Sequence, residues 1–360
     1  MKHLKLFYLA LFTFPVFTAC SDDDSTPPPP PAPIPTAETA IVLNQGSMYY
    51  GISSSMDMLN ISTNAYTPNV FSKLNGIALG DNAIDAVTHG SKIYVAMYGS
   101  NLVWVLHRET LGIIRQIATS DPEGICADGG YVYVSNNNGH VSRIDTTSLE
   151  VDKQLAVGPN PCHLTVANNH LYVSISDGYN YDGGYTNGYR VAKVNLNTFE
   201  KVKDIRVGCN PGPICADESG RVFVVSRGNY ADIQPTLYRI DTNDTAQQLF
   251  PATHIAIKGN LLYVMLNHTD WNANPAVTTL DFFTYNTQTE ERSASLVAEE
   301  NKPASAIDID VDPLRGDFYV GSNASAFDYT SPGYIYRYAS DGSLKYKYSA
   351  GTAPCAVIFK

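Results

Sequence analysis

Apolar and polar residues alternate in short runs along most of the chain, and no stretch repeats at a helical spacing. One run recurs with an aromatic residue before a valine: Ile93-Tyr94-Val95, Val132-Tyr133-Val134, Leu171-Tyr172-Val173, Val222-Phe223-Val224, Leu262-Tyr263-Val264 and Phe318-Tyr319-Val320. The first two intervals, Tyr94 to Tyr133 and Tyr133 to Tyr172, are both 39 residues. About ten residues upstream stands a proline, at Pro122, Pro161, Pro211 and Pro303, and a tight polar turn such as Asp128-Gly129-Gly130 separates the two marks. A third alternating run follows, as in Val141-Ser142-Arg143-Ile144-Asp145 and Leu237-Tyr238-Arg239-Ile240-Asp241, then a weaker fourth such as Val151-Asp152-Lys153-Gln154-Leu155.

Four short antiparallel strands at a period near 40 predict an all-β fold, a seven-bladed β-propeller with four strands per blade. Six blades run over about 80–117, 118–155, 156–205, 206–249, 250–296 and 297–348. Residues 39–79 and the terminal Pro354-Cys355-Ala356-Val357-Ile358-Phe359 remain over, and pairing them makes a seventh blade and closes the ring without a free edge.

With strands lettered a to d from the channel outward, the b–c and d–a connections share one face. From the strand-b aromatic to the end of strand c the intervals are 13, 12, 23, 18, 23 and 20 residues, so the spare length sits in b–c loops on that face. Long loops that a compact fold does not need are commonly functional. These are rich in Tyr, Gly, Asn and Asp: residues 177–189, 227–232, 267–274 and 325–333, joined by 44–50. Rigid aromatic plates set among adaptable polar groups suit ligand contact. The alternative is that single tyrosines merely pack on neighbouring loops.

The N-terminus predicts an address. Lys2 and Lys5 precede an apolar run from Leu6 to Phe17, ending at Thr18-Ala19-Cys20. This reads as a lipoprotein signal peptide over 1–19 with cleavage before a lipidated Cys20, although Phe17 stands where Leu is usual. Residues 20–38 hold that cysteine, the acidic Asp22-Asp23-Asp24, which resembles the surface-export tag of Bacteroides-type lipoproteins, and a Pro-rich linker; the propeller occupies 39–360. Proline runs favour an extended spacer. Removal of the signal takes Lys2 and Lys5 and moves the net charge from −11 to −13. No clustered basic face suits nucleic acid, and contact with the membrane is expected only through the anchor. The expected location is the outer membrane, exposed at the cell surface.

No GxSxG, HExxH, P-loop or GxGxxG motif occurs in the chain, so no enzyme is expected. His163 and His254, at strand-a starts, fall near the channel mouth as base or metal candidates, with a structural histidine the blander reading. Asp308, Asp310 and Asp312 alternate as in a strand rather than a calcium loop, and Asp177 with Asp182 is a weak calcium pair, so no metal is assigned. Cys126 and Cys215 recur in Ile-Cys-Ala-Asp and read as small strand residues, while a Cys162–Cys209 bridge is left open.

The run Tyr133-Val134-Ser135-Asn136, with Val157-Gly158-Pro159-Asn160-Pro161 leading into the next repeat, resembles the YVTN-type seven-bladed propellers. Asn44-Gln45-Gly46 near the start, and Pro332-Gly333-Tyr334-Ile335-Tyr336-Arg337-Tyr338 with Gly351-Thr352-Ala353-Pro354 at the end, are similar to the surface-layer-like lipoproteins of Bacteroides-type bacteria. The resemblance covers nearly all of residues 40–360. Part of that family looks like the corrinoid-capturing propellers, which bind cobalamin outside the cell and pass it to a TonB-dependent outer-membrane transporter. The resemblance therefore implies a corrinoid as transported ligand, no resident cofactor, and that transporter as partner. Tyr49, Tyr98, Tyr179, Tyr181, Arg227, Trp271 and Tyr329 are the expected contacts, with His163 as a candidate cobalt ligand. Rival readings are a binder of another nutrient or glycan, a protein-interaction or adhesion propeller, and a propeller lyase or hydrolase.

Overall fold

The computed structural model describes residues 38–270, 273–274 and 277–360. Seven antiparallel sheets stand around a central channel. Their innermost strands are Ala83–His89, Pro122–Asp128, Pro161–Ala167, Pro211–Ala216, His254–Lys258, Ala306–Val311 and Pro354–Phe359, which define blades 1 to 7. Each touches the next, and the last touches the first, so the ring is closed. In blade 7 the C-terminal strand pairs with Thr39–Asn44 from the other end of the chain, with Ala40 opposite Phe359 and Val42 opposite Val357. The expected closure is thus observed.

The repeated aromatic does one job throughout. Tyr94, Tyr133, Tyr172, Phe223, Tyr263 and Tyr319 are all buried, and each joins an apolar cluster between its own blade and the next. Burying a ring of that size removes a large apolar area from water at every blade junction, which is why the position is repeated. Blade 7 is the exception, because Ile41 stands at that place in the register. The missing bulk comes from a short helix, Val70–Asn75, whose Phe71 lies 5.3 Å from the Trp104 ring in the same cluster. The Trp104 indole N–H donates to Leu79 O at 2.8 Å and so satisfies its one polar atom. A helix of six residues is too short to betray itself as a 3.6-residue period, and none was expected.

Proline opens the innermost strand in blades 2, 3, 4 and 7, where its missing N–H removes no ladder bond. Pro303 differs from expectation and lies upstream of the strand that starts at Ala306. Six sheets have four strands, and blade 5 has three. The position of its fourth is taken by an irregular segment that donates from Ser293 N to Thr284 O and from Leu296 N to Phe282 O. Asp308 and Asp310 lie within the strand Ala306–Val311, in keeping with their alternation. Cys162 and Cys209 are both free thiols.

Candidate functional site: the long-loop face

The b–c connections emerge on one face, as the interval arithmetic requires. They span 98–101, 137–139, 176–189, 227–235, 323–333 and 45–54 in blades 1, 2, 3, 4, 6 and 7. Blade 5 uses its spare length differently. Its strands lengthen to Leu261–Asp270 and Val277–Asn286, a hairpin that carries His268 beyond the sheet instead of a loose loop.

This face carries most of the exposed aromatic surface. Among the described residues, Tyr49, Tyr50, Tyr179, Tyr181, Tyr230, Phe327, Tyr329 and Tyr346 are the exposed aromatics, and all but Tyr346 lie on b–c loops. Tyr49 is 90% exposed and Tyr230 69%, which is unusual for groups that gain by burial. The loops are nevertheless well ordered by hydrogen bonds. Asp177 is buried, and its Oδ2 accepts from Asn180 Nδ2 and Asn187 N, both at 2.9 Å, so this carboxylate organises its own loop. Asp182 is exposed. Among the described residues no group of three or more His, Cys, Asp or Glu side chains is arranged to hold a metal ion.

Three concavities adjoin one another across the face. The channel mouth encloses about 270 Å³ and is lined by Asp85, His163, Arg227, His254, Asp308 and Asp310, among others. A cleft of about 340 Å³ lies between the blade 4 loop and the blade 5 hairpin and shares Arg227 and His254 with the channel. A third, of about 480 Å³, holds Met48, Tyr49, Tyr50 and Tyr329 and shares Gln45 with the channel.

Backbone geometry aims the channel-mouth side chains. In blades 1, 2, 3, 4, 6 and 7 the innermost strand slips register just after its start. Such bulges twist a strand and redirect its side chains. Glu123 and His163 sit in these irregular stretches. Blade 5 lacks the slip, and His254 is the first residue of its strand.

Arg227 is the centre of this site. Its guanidinium lies against Gly212, where a Cβ would come within 2.5 Å of the Arg227 guanidinium carbon, so a larger residue at 212 would push the arginine from its present place. From there Nη2 donates to His163 Nε2 at 3.0 Å. Burial, then the charges of Arg227 and His254, push the His163 pKa down to about 3. Burial and Arg227 take His254 down to about 4. Both imidazoles are therefore neutral near pH 7. His163 presents the lone pair of Nε2 to Arg227, so that nitrogen is already engaged.

The wall opposite is acidic. Burial raises Asp85 to about 7, against the opposing pull of the Ile125 and Ala86 amides. Asp310 rises to about 6 for the same first reason, and Asp308 is raised by burial and by the charge of Asp310. Asp85 Oδ2 accepts from Ile125 N at 3.1 Å and Asp310 Oδ2 from Val357 N at 2.6 Å. Each carboxylate thus ties its blade to the next.

The expected contact residues fall into separate groups. Tyr98 and Tyr179 meet through their hydroxyls at 2.5 Å, and Asn137 Nδ2 donates to Tyr179 Oη at 3.2 Å and to Glu123 at 3.3 Å. Arg227 and His163 pair at the channel mouth, Tyr49 and Tyr329 line the third concavity, and Tyr181 stands exposed beside Tyr179. Trp271 and Cys20 lie outside the described residues. Sequence reasoning did not single out Glu123, His268, Tyr230 or Phe327 as contacts. For Glu123 a signal existed, since it directly follows the strand-opening Pro122.

No family model and no curated protein matches the chain. Solved structures do. The chain is similar to Kuenenia stuttgartiensis hydrazine synthase, with a TM-score of 0.62 at 16% identity over 77% of this chain and 89% of that one. It is also similar to the computationally designed protein Ika8, with a TM-score of 0.54 at 10% identity over 88% and 89% of the two chains. The WD40 domain of Neurospora crassa Pan2 gives 0.55 at 8% identity over 77% and 82%. At these identities the likeness is one of fold, the propeller.

Proposed function

We propose that the long-loop face is a binding surface, and that its ligand is a corrinoid captured by a lipoprotein anchored through Cys20 at the outer surface. The observation that carries the binding role is the gathering, among the described residues, of all but one of the exposed aromatics on one face, above three adjoining concavities. Large exposed apolar patches mark sites of association. The choice of a corrinoid is supported by the family resemblance and by chemistry. A corrinoid is a broad, nearly flat ring with an apolar rim and amide arms. Tyrosine plates suit the ring, and Asn137, Asn180 and Arg227 are suited to the arms. In this reading the captured ligand passes to a TonB-dependent transporter seated against the same face, and the protein itself performs no chemistry.

Titration of the purified full chain with cyanocobalamin and with cobinamide tests the proposal by calorimetry and absorbance. Saturable heat and a shift of the corrinoid bands at micromolar concentration are expected. Neither signal at that concentration would overturn the corrinoid reading.

A further inference from the structure

The cleft between the blade 4 loop and the blade 5 hairpin has a chemistry of its own. One wall is apolar, from Tyr230, Ile233 and Pro235. The other presents Arg227, His254 and His268. The remaining polar lining is already engaged. Thr253 Oγ1 donates to Met265 O at 3.0 Å, Asn267 Nδ2 to Ala306 O at 2.7 Å, and the Thr269 hydroxyl meets that of Thr278 at 2.9 Å.

By contrast, His254 Nδ1 and His268 Nε2 are buried atoms without a hydrogen-bond partner among the described residues. Two orphaned ring nitrogens in one cleft are costly, at about 1–3 kcal/mol for each such group, unless something in the cleft bonds to them. Arg227 forms no ion pair among the described residues. One of its five N–H groups goes to His163 and another faces the Cys162 thiol, and the carboxylate that feels its charge, Glu123, is bonded to Asn137. A cation half-withdrawn from water, lying against Gly212 and in no direct ion pair among the described residues, offers its planar fork to an oxyanion.

We infer that this cleft is a subsite for a small organic anion, whose carboxylate or phosphate head meets Arg227, His254 and His268 while its apolar body lies on Tyr230, Ile233 and Pro235. An imidazole ring nitrogen that carries its hydrogen is a donor, so the head group receives N–H bonds from three side chains. The subsite rests on the loop-face reading only in placing a ligand there, and it does not need that ligand to be a corrinoid.

Calorimetry of the full chain with phenyl phosphate, benzoate, inorganic phosphate and benzyl alcohol at low ionic strength tests it. Phenyl phosphate or benzoate is expected to bind saturably, about 10-fold tighter than inorganic phosphate because of the apolar wall, and benzyl alcohol not at all. The two organic anions distinguish a phosphate head from a carboxylate head. Arg227→Gln should weaken binding about 10-fold or more, and His268→Ala by a smaller factor, while Arg115→Gln on the outer edge of blade 1 leaves it unchanged. If Arg227→Gln does not fold, His268→Ala decides. No binding of either organic anion up to about 20 mM, or equal binding by the folded variants and wild type, would overturn the inference. A corrinoid titration that fails while phenyl phosphate or benzoate binds would sink the corrinoid reading and leave this one standing.

Discussion

The Tyr98 and Tyr179 hydroxyls meet at 2.5 Å, joining the loop of blade 1 to that of blade 3 across the tight turn of blade 2. The contact spans 81 residues of sequence, and Asn137 of blade 2 donates into it. Three blades thus share one polar knot on the loop face, with the Tyr179 ring itself left 65% exposed.

Tyr179→Phe removes the shared hydroxyl without touching the core. Thermal stability should stay within about 0.5 kcal/mol of wild type, as for other exposed changes. Amide exchange across 177–182 should quicken several-fold, and Tyr98→Phe should do the same. An effect from only one of the two would show that the knot does not hold the loop.

A second prediction concerns blade 6. Asp317 receives Arg337 Nε at 2.8 Å and Lys345 Nζ at 2.7 Å, and Arg337 Nη1 also donates to Ile61 O and Asn64 Oδ1 of blade 7, both at 3.0 Å. The Arg337 and Asp317 side chains are 7% and 5% exposed. Asp317→Ala leaves a buried guanidinium without its carboxylate. It should cost about 3–5 kcal/mol in urea denaturation, whereas a loss below about 1 kcal/mol would contradict the pairing.

Ring closure makes a third. Removing residues 354–360 strips the partner from Thr39–Asn44 and uncovers Ile41 and Val42, which are wholly buried. The shortened chain should lose its single cooperative melt and its near-ultraviolet dichroism. A native-like melt would mean that the terminal strand does not close the ring.

The channel carboxylates give a pH signature. Asp85 at about 7 and Asp310 at about 6 titrate above the usual aspartate value, through burial first. Their contribution is complete below about pH 4 and is lost as pH rises through 6 to 7. His163 at about 3 and His254 at about 4 run the other way, complete above about pH 6.5 and lost as pH falls through 4 to 3. Asp85→Asn keeps one acceptor but cannot ionise. Its melting temperature relative to wild type should therefore improve by roughly 2 °C or more between pH 4 and pH 8. An unchanged gap across that range would contradict a neutralised Asp85.

The blades were legible in the sequence because one physical need repeats: each junction buries an aromatic on strand b, and Pro122, Pro161 and Pro211 mark where strand a begins. The loop face followed from counting residues between fixed strands. The rest depends on contacts that no local pattern encodes. Phe71 replaces a missing blade aromatic from a helix six residues long. The blade 5 insertion forms a ladder because Leu266 to Asp270 find partners in Val277 to Asp281, which composition did not distinguish from a loop. Tyr98 reaches Tyr179, and Arg227 reaches His163, only through ring geometry.

The central claim is that ligand sits on the long-loop face, and hydrogen exchange with and without saturating cyanocobalamin tests it most directly. Protection is predicted in 45–54, 176–189, 227–235 and 323–333, with none in the opposite turns at 108–112, 146–149 and 196–199. Protection confined to those turns, or no protection on the loops, would contradict the account.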